Sequence, residues 1–209
     1  MAFPVLFRSW KLPANQTNCT IVEACRATTA DVPIFTAIEI GDLWLKETFV
    51  GGSLRCNNPV KFVLQEAKSA FPNQTISCVL SIGAGIRHVI GLKGPNNDDT
   101  SHLSNLFQRI ATDCESTSED TAKQLSDRPG VYFRLNVDQG LQGVGLTQWE
   151  EMSTVLTHTL QYLHLHDIDH KVARLVQILV GSPGMLQEWT VSPYSCRMFW
   201  ERFTTVYAF

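Results

Sequence analysis

Hydrophobic and polar positions change period several times along this chain, and each change predicts an element. Pro4 to Arg8 is a short apolar run that predicts a first strand. After the polar segment from Lys11 to Asn18, Thr20-Ile21-Val22-Glu23 has capping-box spacing. A threonine and a glutamate three residues apart can satisfy two helix-start amides reciprocally, which predicts a helix through Thr28 or Thr29 with Ile21, Val22, Ala24 and Cys25 as its apolar face. Ile34 to Ile40 reads as a strand. Asn57-Asn58-Pro59 then predicts a helix start with proline just inside the first turn, and Val60, Val63, Leu64 and Ala67 recur at helical spacing behind it. Ile76 to Ile82 has the length and apolar continuity of a buried parallel strand, and it runs into the turn Gly83-Ala84-Gly85. Strand, helix, strand is the order a right-handed crossover requires.

The second half has a different texture. A polar link from Gly94 to Thr100 leads to Leu103, Leu106, Ile110 and Ala111 at helical spacing, and a loop rich in Ser, Glu and Asp follows. Val131 to Val137 alternates as a strand. Helices are expected from about Thr147 to Leu163 and from about Ile168 to Val180. Gly181 to Phe209 carries Trp189, Tyr194, Phe199, Trp200, Phe203, Tyr207 and Phe209, too many aromatics for a solvated tail, and is expected to pack as a short helix. The pattern divides the chain into an α/β part over 1–95, a mostly helical continuation of the same domain over 96–180, and the aromatic tail over 181–209.

Composition narrows the class of function. The 209 residues are 44% hydrophobic, enough for a sizeable core, and the net charge of −3 with 17 scattered basic residues offers no field for nucleic acid. No apolar stretch approaches the roughly 20 residues needed to span a bilayer. The six cysteines (Cys19, Cys25, Cys56, Cys78, Cys114, Cys196) show no C-x-x-C pair or short-range framework, which suits buried free thiols in a reducing compartment. Asn15, Asn18 and Asn73 head Asn-x-Thr sequons, but Met1 to Arg8 is too short an apolar run for a signal peptide, so a cytoplasmic location is expected.

Three patterns could carry chemistry. His164-Leu165-His166-Asp167-Ile168-Asp169-His170 is the densest set of metal-ligand types, though no third anchor accompanies it and a solvated interhelical turn explains it as well. Gly83-Ala84-Gly85 fails the dinucleotide fingerprint, since His88 stands where the third glycine belongs. No cofactor is implied. Gly51-Gly52-Ser53-Leu54-Arg55 approaches the G-x-S-x-G nucleophile elbow and fails at Arg55, where a strained turn wants a small residue; no complete elbow occurs.

Four segments together resemble one family. Leu6-Phe7-Arg8-Ser9 looks like a family strand, and Glu23 to Ala30 resembles E-A-x-R-A-T-S-A. Phe49-Val50-Gly51-Gly52-Ser53-Leu54-Arg55-Cys56-Asn57-Asn58-Pro59 resembles F-x-D-G-G-L-x-x-N-N-P, and Ser81-Ile82-Gly83-Ala84-Gly85 resembles S-I-G-T-G. These are motifs of patatin-like phospholipases, particularly the intracellular fungal type, and four in order are harder to meet by accident than one. The similarity runs from about Leu6 to Val180 and is specific between Cys19 and Gly85.

The resemblance implies a three-layer α/β/α fold with a mainly parallel sheet, incomplete at its N-terminus, and an ancestry in lipid acyl-ester hydrolysis. It also implies impaired catalysis. The family's aspartate, which accepts the proton of a nucleophilic serine, corresponds to Gly51, and glycine accepts no proton. Asp31 and Asp42, the nearby carboxylates, read as solvated loop residues. Restoring aspartate at Gly51 in a longer chain that carries the serine is expected to raise hydrolysis. Gly51, Gly52, Ser53, Asn57, Asn58 and Pro59 form the family loop. Arg26, Arg55, Gly83 and Gly85 are candidate contacts of an acyl or head-group cleft, the arginines alternatively tying local carbonyls or a carboxylate. Expected partners are a lipid or fatty-acyl ligand, or a protein at an exposed sheet edge or the aromatic tail. Two other readings stay open: a non-catalytic binding or interaction module, and a fragment of a longer gene product.

Overall fold

The computed structural model describes residues 4–8, 18–31, 34–86, 100–181 and 205–208. These fall into two compact units, one formed by 1–59, 107–114 and 189–209 and the other by 60–106 and 115–188. Six strands pair two by two, as three separate small sheets. The chain is thus mixed α/β. Among the described residues the strands form two antiparallel pairs and one parallel pair.

In the first unit β1 (Val5–Arg8) pairs antiparallel with β6 (Thr205–Ala208), the last described strand. The described part of the aromatic tail is therefore a strand rather than a short helix; 182–204 lie outside the described residues. Helix α1 (Ile21–Thr28) starts where the capping box places it. Glu23 N–H donates to Thr20 Oγ1 at 3.2 Å, while Thr20 N–H at 2.7 Å and Thr20 Oγ1 at 2.8 Å both donate to Glu23 Oε2 and hold that carboxyl below its ordinary range. Its buried face differs from expectation. Ala24 and Ala27 point inward while Ile21 and Val22 are exposed, because the helix packs on the one side where small residues admit close approach.

The predicted strand over Ile34–Ile40 shortens to β2 (Ile38–Ile40). The amides of Ile34 and Phe35 both donate to Asp31 O, so that the chain turns there instead of extending. β2 is followed by β3 (Glu47–Phe49), a hairpin partner the periodicity did not predict, in register Ile38↔Phe49 and Ile40↔Glu47. Ile40 and Phe49 reach inward to Phe7, Ala24 and Ala27. The rings of Phe7 and Phe49 meet edge-to-face at 5.3 Å, a favoured aromatic arrangement. Helix α2 (Ser53–Cys56) closes this stretch.

The second unit holds α3 (Val60–Ala70), entered just after Pro59, with Val60 and Leu64 buried against Val79. β4 (Val79–Ile82) pairs parallel with β5 (Tyr132–Leu135), Val79 opposite Tyr132 and Ile82 opposite Leu135. The expected crossover runs from the strand over Ile34–Ile40 through α3 to β4, but β2 pairs with β3 and β4 with β5, so among the described residues these strands do not share one sheet. β4 is buried on one face only: Val79 and Ser81 face in, while Ile82 is 73% exposed, in contrast to the fully buried strand its apolar run suggested. Helices α5 (Glu115–Gln124), α6 (Met152–Leu163) and α7 (His166–Gly181) complete this unit, and α4 (Thr100–Ala111) belongs to it through Leu106 and to the first unit from Phe107. No helix among the described residues is long and apolar enough to cross a membrane.

Phe49 is 2% exposed and ties the hairpin to Phe7 and α1. Phe49→Ala is expected to destabilise the first unit by about 3 to 5 kcal/mol, read as a lower midpoint in chemical denaturation.

Candidate functional site

The family-like loop is built in the first unit where β3 gives way to α2. Gly51 N–H donates to Ala30 O at 2.8 Å, laying the loop along the turn that ends α1. This contact explains the glycine. A Cβ at position 51 would lie 3.0 Å from Thr28 O and 3.3 Å from Ala30 O, tighter than ordinary packing against backbone that cannot swing away. A carboxylate there would also face two carbonyl oxygens. An aspartate at Gly51 requires the Thr28 and Ala30 carbonyls to give by a few tenths of an ångström.

A carboxylate nevertheless reaches the loop from another position. Ser53 Oγ donates to Asp31 Oδ1 at 2.8 Å, both side chains half-buried. Asp31 is therefore a partner of the loop rather than the solvated residue the sequence suggested. Nucleophile and base types within hydrogen-bond reach are one requirement of acyl transfer. Two others are not met. Ser53 has ordinary helical backbone as the first residue of α2, without the strained turn of an elbow. The Gly51 amide beside it is committed to Ala30 O and is not available as an oxyanion donor.

The rest of the motif fastens the loop to the link between α4 and α5. Asn57 Nδ2 donates to Thr112 O at 2.7 Å and Asn58 Nδ2 to Cys114 O at 3.3 Å. Asn58 is buried and Pro59 half-buried, which makes the Asn-Asn-Pro segment a structural tie. Arg26 donates through Nη2 to Thr36 Oγ1 at 2.9 Å and lies 6.0 Å from the Phe35 ring centre, at the outer limit of a cation–π contact. Among the described residues its buried Nη1 has no hydrogen-bond partner. The Arg55 side chain lies outside the described residues.

Gly83 and Gly85 belong to the second unit, at the carboxyl end of the parallel β4–β5 pair, where parallel sheets commonly present ligand sites. Four residues farther along the chain, Glu115, Arg134, Asn136 and Tyr162, shape this turn. Asn136 Oδ1 accepts from Gly85 N–H at 2.7 Å, and Asn136 Nδ2 donates to Glu115 Oε1 at 2.8 Å. Arg134 Nη2 donates to the same Glu115 oxygen at 2.6 Å, and its Nη1 donates to Ser81 Oγ at 3.0 Å. The Tyr162 hydroxyl accepts from Asn136 N–H at 3.2 Å. A Cβ at Gly83 would run into Asn136 Oδ1 and Arg134 Nη2, so any larger residue there requires these two side chains to move. Gly85 adopts φ +113, which favours glycine. Sequence reasoning missed Glu115, Arg134, Asn136 and Tyr162. The available signal was Arg134 and Asn136 two apart in an apolar strand, polar positions sharing one face.

Other candidates are not assembled into sites. The His166 and His170 rings meet edge-to-face at 4.3 Å, and no group of three metal-ligand side chains occurs among the described residues. Among the described residues Cys19, Cys25 and Cys78 are free thiols, and burial pushes the Cys19 and Cys78 thiols up.

Two substitutions test these assignments. Gly51→Asp is expected to lower stability by about 1 to 3 kcal/mol through overpacking, measured by urea unfolding. Asn136→Ala strips the Gly85 amide of its acceptor and is expected to cost about 1 to 3 kcal/mol and to speed amide exchange at Gly85. Compared with known proteins, the chain matches no family model, no curated protein and no solved structure, so the purpose of this geometry rests on its residues.

Proposed function

We propose that this chain is part of a patatin-like α/β domain of lipid metabolism that has lost acyl-ester hydrolysis and keeps a capacity to bind acyl lipid. The observation that carries the reading is Gly51. The loop from Phe49 to Pro59 keeps one glycine (Gly52), Leu54 and the Asn-Asn-Pro segment of the family motif, with Ser53 at its second glycine, and Gly51, at the position of the family's aspartate, is packed against the Thr28 and Ala30 carbonyls. The surrounding order of motifs supports the same ancestry, as do the parallel β4–β5 pair and its glycine turn. The three-layer arrangement with one larger parallel sheet belongs to this proposal, and so does a cytoplasmic location. Arg26, with its partly unsatisfied guanidinium, is the candidate contact for an anionic carboxylate or head group.

Hydrolysis and binding separate the two halves of the proposal. With a soluble short-chain p-nitrophenyl ester the rate is expected to stay at the uncatalysed background, and Ser53→Ala is expected to leave it unchanged. Displacement of a fluorescent fatty acid is expected to show saturable binding that Arg26→Ala weakens by about tenfold, a loss of about 1.4 kcal/mol. A Ser53-dependent rate above background would overturn the loss of catalysis, and absence of saturable binding would overturn the lipid-binding role.

A further inference from the structure

The hairpin of the first unit ends in an arrangement that neither the fold nor the loop chemistry uses. Between β2 and β3, Gly41 to Lys46 form a tight connection whose outermost residues are Leu43, Trp44 and Leu45, exposed by 84%, 94% and 81%. Scattered exposed leucines are ordinary on protein surfaces, whereas three consecutive large apolar side chains at one loop tip are not.

The tip is held in shape. Leu45 N–H donates to Asp42 O at 2.9 Å, which makes Leu43 and Trp44 the central residues of a turn. Those positions ordinarily carry Gly, Pro, Asn, Asp or Ser, so local turn chemistry does not account for a leucine and a tryptophan there. Gly41 takes the strain instead, with φ +132 and its α-carbon so close to the Leu45 carbonyl that a Cβ would collide with it. At the base, Lys46 Nζ bonds Glu39 Oε2 at 3.5 Å across the two strands, and Ile40 and Phe49 anchor the hairpin in the core.

We infer that Leu43-Trp44-Leu45 is a membrane-docking tip that enters the interface of a zwitterionic lipid bilayer. Shape and charge select this occupant. Three side chains on a convex tip can bury on the order of 450 Å², taking about 150 Å² each. A stable protein interface needs about 800 Å² per partner. A bilayer interface accepts such a wedge, and tryptophan, with an apolar ring and an indole N–H, favours that depth. Glu39, Asp42 and Glu47 against Lys46 leave the hairpin acidic, which disfavours an anionic surface and marks the limit of insertion. The inference rests on the hairpin and not on the acyl-binding reading; soluble-ligand binding and vesicle binding are separate measurements, and either can fail alone.

Flotation of the intact 209-residue chain with phosphatidylcholine vesicles tests it. The chain is expected to float with these vesicles and to bind no better when phosphatidylglycerol is added. Trp44→Ala is expected to weaken binding at least about tenfold. Leu43→Ser, Trp44→Ser and Leu45→Ser together should abolish it, with an unchanged circular dichroism spectrum because the side chains are solvated. Hydrogen exchange of the unaltered chain, with and without vesicles, gives a reading free of folding effects: protection is expected at 41–46. The inference is overturned if the chain stays unbound, if the triple variant floats equally well, if binding needs anionic lipid, or if the tip residues govern self-association in size-exclusion light scattering instead.

Discussion

Much of the first unit depends on the burial of Phe49 against Phe7 beneath α1. That one aromatic contact fixes β3, and β3 carries features of opposite kind at its two ends. Toward the C-terminus it delivers Gly51 onto the Ala30 carbonyl and Ser53 to Asp31. Toward the N-terminus, through its pairing with β2, it holds Gly41 to Lys46 out in solvent. Because the ring sits in a small core with Ile40, Ala24 and Ala27, a shift in it would move both the loop and the hairpin.

In the second unit the equivalent constraint is polar. Glu115 accepts from both Arg134 and Asn136, and Asn136 in turn accepts the Gly85 amide, so a single carboxylate organises the turn at the end of the parallel pair. Networks of this type are stable when every member is partnered and costly when one is removed, which gives the turn a defined shape. Gly83 follows from this geometry, since the space its side chain would occupy is taken by Asn136 and Arg134. A nucleotide loop is not needed to explain these glycines.

Local chemistry made several elements legible in the sequence. The Thr20–Glu23 capping box sets the start of α1, and Pro59 followed by Val60 and Leu64 sets α3. β4 and β5 follow from apolar runs of strand length. The hidden features depend on contacts distant in sequence. The β2–β3 hairpin was missed because its turn is made by Gly41 approaching Leu45 rather than by an Asn-Gly or Asp-Gly pair. The exposed Ile21 and Val22 depart from the helical pattern because only the alanine side of α1 meets the core. Asp31 and Ser53 are 22 residues apart, and neither position signals the other.

That last pair bears on how the loop after β3 is held. An aspartate one residue before Gly52 would need the space now filled by the turn after α1, and that turn is itself drawn in by the Gly51 amide and by the Ser53–Asp31 bond. Glycine at 51 and the serine-to-Asp31 bond thus support one another: the first permits close approach, and the second holds it. A carboxylate that accepts from Ser53 on a regular helical turn stabilises the loop, whereas a catalytic pair needs its serine on a strained elbow and free amides opposite it. The same hydrogen bond that looks like the start of a dyad therefore acts, in this backbone, as the clasp that holds the loop against the turn after α1.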